Sequence, residues 1–156
     1  MSAEKGKRYW DDIRIGDKLD CEPFTMSQDE IIEFASKYDP QCFHINPEIA
    51  VNTRFGGIIA SSLHTLSLCT RAIVDAMIGF EVIIGLGINI LILKNVVRPG
   101  DHLALDACWS DLRRSSSKPE QGVAALKFSL FNQKSELVLA AEYTYLLACR
   151  SGGPSA

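Results

Sequence analysis

The stretch from residue 58 to about residue 78 is the feature that most constrains how this chain can fold. Apolar residues recur there at helical spacing with few polar residues between them, which predicts one long α-helix. A helix that is apolar nearly all round has to be buried on most of its sides. Other elements must therefore cover it.

The sequence changes character after this helix and takes on the pattern of β-strands. Runs of β-branched or alternating residues predict strands over 81–92, 103–109, 123–131 and 138–147, with a shorter strand around 18–25. Turn-forming residues at 99–101 and 132–134 and a polar segment at 113–122 separate them. Helices followed by strands joined mostly by hairpins indicate an α+β fold, in which a curved antiparallel sheet wraps around the long helix.

Two shorter helices are predicted ahead of the long one. Ser27 followed by Glu30 is a capping-box pattern, and Pro40 ends the helix that begins there. Asn46 and Pro47 are typical of the cap and first residue of a second helix, which we expect to continue to the glycine pair at 56–57.

Size and composition limit the classes of protein that fit. The 156 residues are 47% hydrophobic and 22% charged, which favours one globular domain over residues 1–150 with a flexible tail at 151–156. The net charge of −3 argues against nucleic acid or an anionic membrane as partner. No signal peptide or membrane span is predicted, and five scattered cysteines fit reduced thiols, so we expect a cytoplasmic protein without a metal site.

Asp39 and His44 are the strongest candidates for chemistry. They lie five residues apart beside Pro40 and Phe43, close enough for a carboxylate and an imidazole to converge on one small reactive atom. Taken alone, Asp39 could be an ordinary turn residue before proline, and His44 a structural imidazole. A glycine-rich turn and the long apolar helix follow directly, and this context favours catalysis.

Four segments in a fixed order carry a family resemblance. They are the D-x-x-x-x-H element at 39–44, Asn-Pro-Glu at 46–48, Phe-Gly-Gly-Ile-Ile-Ala at 55–60 and Arg-Pro-Gly-Asp at 98–101. In these the chain resembles the MaoC-like dehydratase and (R)-specific enoyl-CoA hydratase family, which has the hot-dog fold. The resemblance implies hydration of a trans-2-enoyl-CoA, or dehydration of the matching (R)-3-hydroxyacyl thioester, without metal or organic cofactor.

The resemblance also implies roles for individual residues. Asp39 would act as the base on a water molecule that His44 orients. Backbone N–H groups where the long helix begins, at Ser62 and its neighbours, would bind the thioester oxygen. The complete set of substrate-binding candidates is Gly57, Ala60, Ser61, Ser62 and Thr70.

The implied assembly is a homodimer, or a dimer of dimers, because the family builds its substrate channel between subunits. A free sheet edge, which the predicted fold would leave, favours the same pairing. The substrate would be an acyl-CoA or an acyl carrier protein thioester.

Two other functions stay open from the sequence. The same fold supports thioester hydrolysis, in which water attacks the carbonyl carbon instead of C3. A non-catalytic acyl-thioester-binding subunit is the second, because Ser62 stands where family members commonly have glycine. Of the other histidines, His64 is expected in the core or an interface, and His102 at the surface.

Overall fold

Helices occupy the first half of the chain and a sheet the second in the computed structural model, which describes residues 6–150. The tail predicted at 151–156 lies outside the described residues. The helices are α1 (Gln28–Tyr38), α2 (Cys42–Ile45), α3 (Pro47–Ala50) and α4 (Ser62–Ala76), and the strands are β1 (Lys18–Leu19), β2 (Val82–Leu93), β3 (Ala104–Arg114), β4 (Gln121–Phe131) and β5 (Leu137–Ala148). The α+β prediction is confirmed.

The predicted helix caps are present. The Ser27 hydroxyl accepts from the Glu30 N–H at 3.2 Å, and the Glu30 carboxylate accepts from the Ser27 N–H at 2.8 Å, which completes the capping box. The Asn46 side chain accepts from the Ile49 N–H at 3.0 Å and so caps α3. These local contacts depend only on neighbours in sequence, which is why the pattern predicts them.

The second and third helices differ from the prediction. α3 ends at Ala50, well before residue 56, and α2 precedes it without having been predicted. The long helix begins at Ser62 and not at residue 58, because the Ile59 and Ala60 N–H groups donate to the carbonyls of Phe43 and Val97. Tertiary hydrogen bonds therefore hold residues 58–61 outside the helix.

The five strands form one antiparallel sheet in the order β1-β3-β4-β5-β2. The four long predicted strands are confirmed. β3 continues past its predicted end at Trp109, because Arg113 and Arg114 still pair with Val123 and Gly122. The shorter predicted strand is reduced to β1 and an isolated bridge between Phe24 and Leu103.

The hydrophobic core lies between α4 and the inner face of the sheet. Side chains of β5 alternate between buried and partly exposed, and the buried set belongs to the same cluster as Cys69 and Ile73 of α4. None of the helices in residues 6–150 is long and apolar enough to span a membrane.

α4 leaves one stripe of its surface exposed. His64, Thr65 and Cys69 are buried, whereas Leu63 and Val74 are about half exposed, at 52% and 51%. The rest of the helix is buried or partly buried, so the expectation that it is buried on most sides is confirmed.

β2 is an edge strand with an unusual amount of exposed apolar surface. Its pairing with β5 shifts register three times, once between Gly85 and Gly87, as expected where glycines allow a strand to bend. Eight of its apolar residues are exposed, namely Val82, Ile83, Ile84, Leu86, Ile88, Leu91, Ile92 and Leu93.

Candidate active site

Asp39 lies at the end of α1, where the backbone leaves the helix before Pro40. The Ser61 hydroxyl donates to Asp39 Oδ2 at 2.6 Å, and the Gln41 side-chain amide donates to Oδ1 at 2.9 Å. The Ser61 hydrogen bond first, then that of Gln41, and to a smaller extent nearby His44, hold the pKa of Asp39 below its ordinary value. Asp39 is therefore a carboxylate at neutral pH.

His44 is buried in α2 and faces Asp39. Its Nδ1 lies 2.7 Å from the Ile59 carbonyl oxygen, and its Nε2 lies 3.3 Å from Asp39 Oδ2. A carbonyl only accepts, so this contact assigns the ring proton to Nδ1. In the neutral ring, Nε2 and the carboxylate are then both acceptors that converge without a donor between them. One water molecule has the two O–H donors that satisfy both.

Residues 55–60, which lead into α4, are held by hydrogen bonds to the turn before β3. The Arg98 guanidinium donates to the Phe55 carbonyl at 2.6 Å, and the Ala60 N–H donates to the Val97 carbonyl at 2.8 Å. Gly56 allows the approach, because its φ of 67° is a left-handed conformation that favours glycine. The predicted glycine turn and Arg-Pro-Gly-Asp turn therefore act together to position the start of α4.

A cavity of about 320 Å³ opens beside Asp39 and His44. It combines two kinds of wall, as a site for a small polar reaction on an apolar chain requires. The polar lining is Asp39, Gln41, His44, Ser62, Thr65, Lys94 and Asn95, and the apolar lining is Ile59, Ala60, Leu93, Val96, Val97, Val138 and Leu139.

The substrate-binding candidates from the sequence divide into two groups. Ser62 lines the cavity at the first residue of α4, and its N–H has no protein acceptor among residues 6–150. Ala60 lines the cavity too, but its N–H is already donated to Val97. Ser62 is therefore the better placed backbone donor of the two.

The other three candidates lie outside the cavity wall. Ser61 lies behind Asp39 and contacts its carboxylate. Gly57 lies beside the Arg98 side chain. The Thr70 hydroxyl donates to the Leu66 carbonyl and shares a 2.6 Å contact with the Tyr143 hydroxyl.

Several cavity residues were not predicted. Residues 93–97 reach the cavity because β2 pairs with β5, and the Lys94 N–H donates to the Val138 carbonyl at its end. Only the pairing of two distant strands brings them there, so no local pattern marks them. Thr65 could have been predicted to line the cavity, because it lies three residues after Ser62 on the same face of a helix. Within residues 6–150, no three side chains of histidine, cysteine, aspartate or glutamate converge to hold a metal ion.

The fold and this site together define a class of protein. A family model described as MaoC like domain matches residues 12–127, so the chain belongs to the MaoC-like domain family. The predicted hot-dog fold and family resemblance are confirmed.

Individual relatives are similar along nearly their whole length. The uncharacterized protein YdeM of Bacillus subtilis is 30% identical over 138 residues, which is 88% of this chain and 96% of that protein. A structure titled monoamine oxidase regulatory protein, from Archaeoglobus, has a TM-score of 0.87 at 27% identity and covers 95% of this chain and 99% of its own.

Two further solved structures carry names of enzymes. The MaoC-like dehydratase from Rhodospirillum rubrum has a TM-score of 0.82 at 28% identity, covering 92% of this chain and 99% of its own. The (R)-hydratase from A. caviae, involved in PHA biosynthesis, has a TM-score of 0.71 at 25% identity, covering 85% and 96%.

Proposed function

We propose that this protein is a hydro-lyase that adds water to trans-2-enoyl thioesters or removes it from (R)-3-hydroxyacyl thioesters. The observation that carries the proposal is the convergence of Asp39 Oδ2 and His44 Nε2, 3.3 Å apart, on the wall of a cavity that is half polar and half apolar. Membership of the MaoC-like family and the dehydratase and (R)-hydratase names of two similar structures support it.

The reaction follows from what each group can do. Asp39, ionised, takes a proton from the water that it holds with His44, and the water oxygen forms a bond to C3 of the substrate. The C2=C3 electron pair moves onto the thioester oxygen, where the Ser62 N–H at the start of α4 stabilises the negative charge. When the carbonyl re-forms, C2 takes the proton back from the Asp39–His44 pair. The substrate and one water molecule supply every atom of the product, so the proposed reaction needs no cofactor.

The cavity supports an acyl thioester as the substrate. The apolar lining from β2, β5 and residues 96–97 suits a hydrocarbon chain, and the polar lining suits a thioester group. Either coenzyme A or an acyl carrier protein can carry such an acyl group. The free thiols of all five cysteines fit a reducing compartment and support a cytoplasmic location.

A homodimer belongs to the same proposal. Soluble monomers rarely leave large contiguous apolar patches exposed, and a long apolar edge strand such as β2 is a template for pairing. β2 ends at Leu93, which lines the cavity, so a second copy paired along this strand would also border the site.

Loss of the ultraviolet absorbance of the enoyl-thioester conjugation tests the proposed activity. We expect purified protein to consume crotonyl-CoA or a longer trans-2-enoyl-CoA, and Asp39→Asn and His44→Ala each to lower kcat/KM about 10²–10⁴-fold, the usual contribution of a proton-transfer group. The exposed His102 provides the control, because His102→Ala removes an imidazole that is not part of the cavity lining and should leave the rate unchanged.

Other outcomes point to the other two functions. Release of free thiol from a saturated acyl-CoA would indicate a thioesterase. Tight acyl-CoA binding without turnover would indicate a non-catalytic subunit. Full activity in both Asp39→Asn and His44→Ala would rule out the proposed mechanism.

A further inference from the structure

Ser61 occupies a buried position between the proposed base and the start of α4. Its side chain is 1% exposed, and its hydroxyl donates to Asp39 Oδ2 at 2.6 Å. The same hydroxyl accepts from the Leu63 N–H at 3.3 Å, and the Ser61 carbonyl accepts from the Thr65 N–H at 3.1 Å. One residue thus contacts the base and caps the helix whose first residue, Ser62, lines the cavity.

The contact with Asp39 is the stronger of the two that the hydroxyl makes. A hydroxyl that donates to an ionised oxygen forms a short, strong hydrogen bond, and the 2.6 Å between Ser61 and Asp39 fits such a bond, whereas the 3.3 Å to the Leu63 N–H is long for an N–H···O bond. A plain helix cap needs only the Leu63 contact. The arrangement therefore indicates a role beyond capping.

The contact also fixes the oxygen that matters for the reaction. Asp39 Oδ2 faces His44 Nε2, and a donor on that oxygen keeps the carboxylate from rotating away from the imidazole. Gln41 holds the other oxygen, but its hydrogen bond is exposed to solvent and so competes with water. Ser61 is the buried restraint.

We propose that Ser61 is a positioning residue that holds the Asp39 carboxylate next to His44. Because Ser61 also caps α4, it fixes the position of this carboxylate relative to the Ser62 N–H. The residue contacts no substrate and acts through Asp39. The inference rests on the hydro-lyase proposed above, but the Ser61–Asp39 contact can be tested without turnover.

Two opposing effects follow from removing the hydroxyl. Without its donor, Asp39 becomes a stronger base, which favours proton abstraction. The freed carboxylate also loses its orientation, and small misplacements of a catalytic group cost up to about 10²-fold. Because gains from basicity are gradual and losses from misplacement steep, we expect kcat to fall roughly 10–100-fold in Ser61→Ala with KM little changed.

The deciding experiment titrates the Asp39 carboxyl by ¹³C NMR in the wild-type protein and in Ser61→Ala, with the signal assigned by Asp39→Asn. We expect Asp39 to titrate at higher pH in Ser61→Ala, and the acid limb of the kcat/KM profile to move in the same direction. Ser61→Thr, which keeps the hydroxyl, should restore both. Ser27→Ala is the matched control, because it removes the cap of α1 without contacting Asp39.

The outcomes separate the two proposals. An unchanged Asp39 titration in folded Ser61→Ala would overturn the positioning role, whatever the activity. Absence of hydration in the wild type with every enoyl thioester would overturn the hydro-lyase, while a shifted titration would still establish the Ser61–Asp39 contact. If Ser61→Ala does not fold, Ser61→Cys keeps the volume with a weaker donor and gives the same comparison.

Discussion

At the scale of single residues, His64 is a buried titratable group that the proposed mechanism does not use. Its ring stacks on Phe34 with centroids 4.5 Å apart and 5° between the planes, and its buried Nδ1 has no protein partner among residues 6–150. Burial lowers the pKa of His64, and Glu30 opposes this with a smaller effect. The structure places this histidine in the core between α1 and α4, one of the two locations expected from the sequence.

Protonation of His64 should weaken the packing of α1 on α4. The unfolded chain binds a proton at about pH 6.5, whereas the folded state binds it only at lower pH, so stability is lost as the pH falls from that value through the lowered pKa. Glu30, Glu33, Lys37 and Tyr38 line the same cleft but remain in a His64→Gln variant. Urea unfolding at pH 7.5 and 5 should show a smaller loss of stability in His64→Gln than in the wild type. Equal losses would contradict the assignment.

How much of the site the sequence could predict also depends on distance along the chain. Asp39 and His44 are joined by a single turn, so their proximity follows from local sequence alone. The contact between Ser61 and Asp39 depends instead on where the Phe43 and Val97 carbonyls hold residues 59 and 60. The helix predicted from residue 58 does not show this contact, because helical periodicity carries no information about which distant segment residues 59–61 approach.

At the scale of elements, the helical turn Trp10–Asp12 packs against the hairpin that β3 and β4 form and stabilises it. Trp10 packs on Gly122 so closely that a Cβ there would lie 2.5 Å from the indole ring, and the indole N–H donates to the Val123 carbonyl at 3.0 Å. Asp11 pairs with Arg114 on β3. Residues 113–122 were predicted as a connection, and these contacts explain why the strands extend into that segment.

Gly122→Ala should destabilise the protein by about 1–3 kcal/mol, the usual cost of overpacking, because the added methyl group overlaps Trp10. Trp10→Ala removes the overlap, so the same glycine substitution should cost much less in that background. Urea denaturation of the four proteins in this cycle measures the coupling between the two positions. Additive effects would show that the indole does not require glycine at 122.

At the scale of the whole molecule, β2 is the element whose apolar pattern the single chain does not account for. The exposed stripe of α4 includes the polar residues Ser67, Arg71 and Asp75, whereas the exposed side chains of β2 are mostly apolar. Hydrophobic periodicity reports burial in the functional assembly, so it cannot say which chain supplies the cover. The proposed second copy, paired along β2, would reconcile the apolar pattern of this strand with its exposed fractions.

A charge placed on β2 should therefore separate the copies. Ile84 is 56% exposed on this edge strand, and Ile84→Lys puts a cation where strand pairing would bury it. Ile15 is 64% exposed in the turn before β1, at the opposite edge of the sheet, so Ile15→Lys is the matched control.

Analytical ultracentrifugation should give a dimer for the wild type and for Ile15→Lys, and mainly monomer for Ile84→Lys. A monomeric wild type, or an Ile84→Lys that remains dimeric, would show that β2 is not the interface. Loss of hydration together with the dimer would further indicate that the site needs both copies.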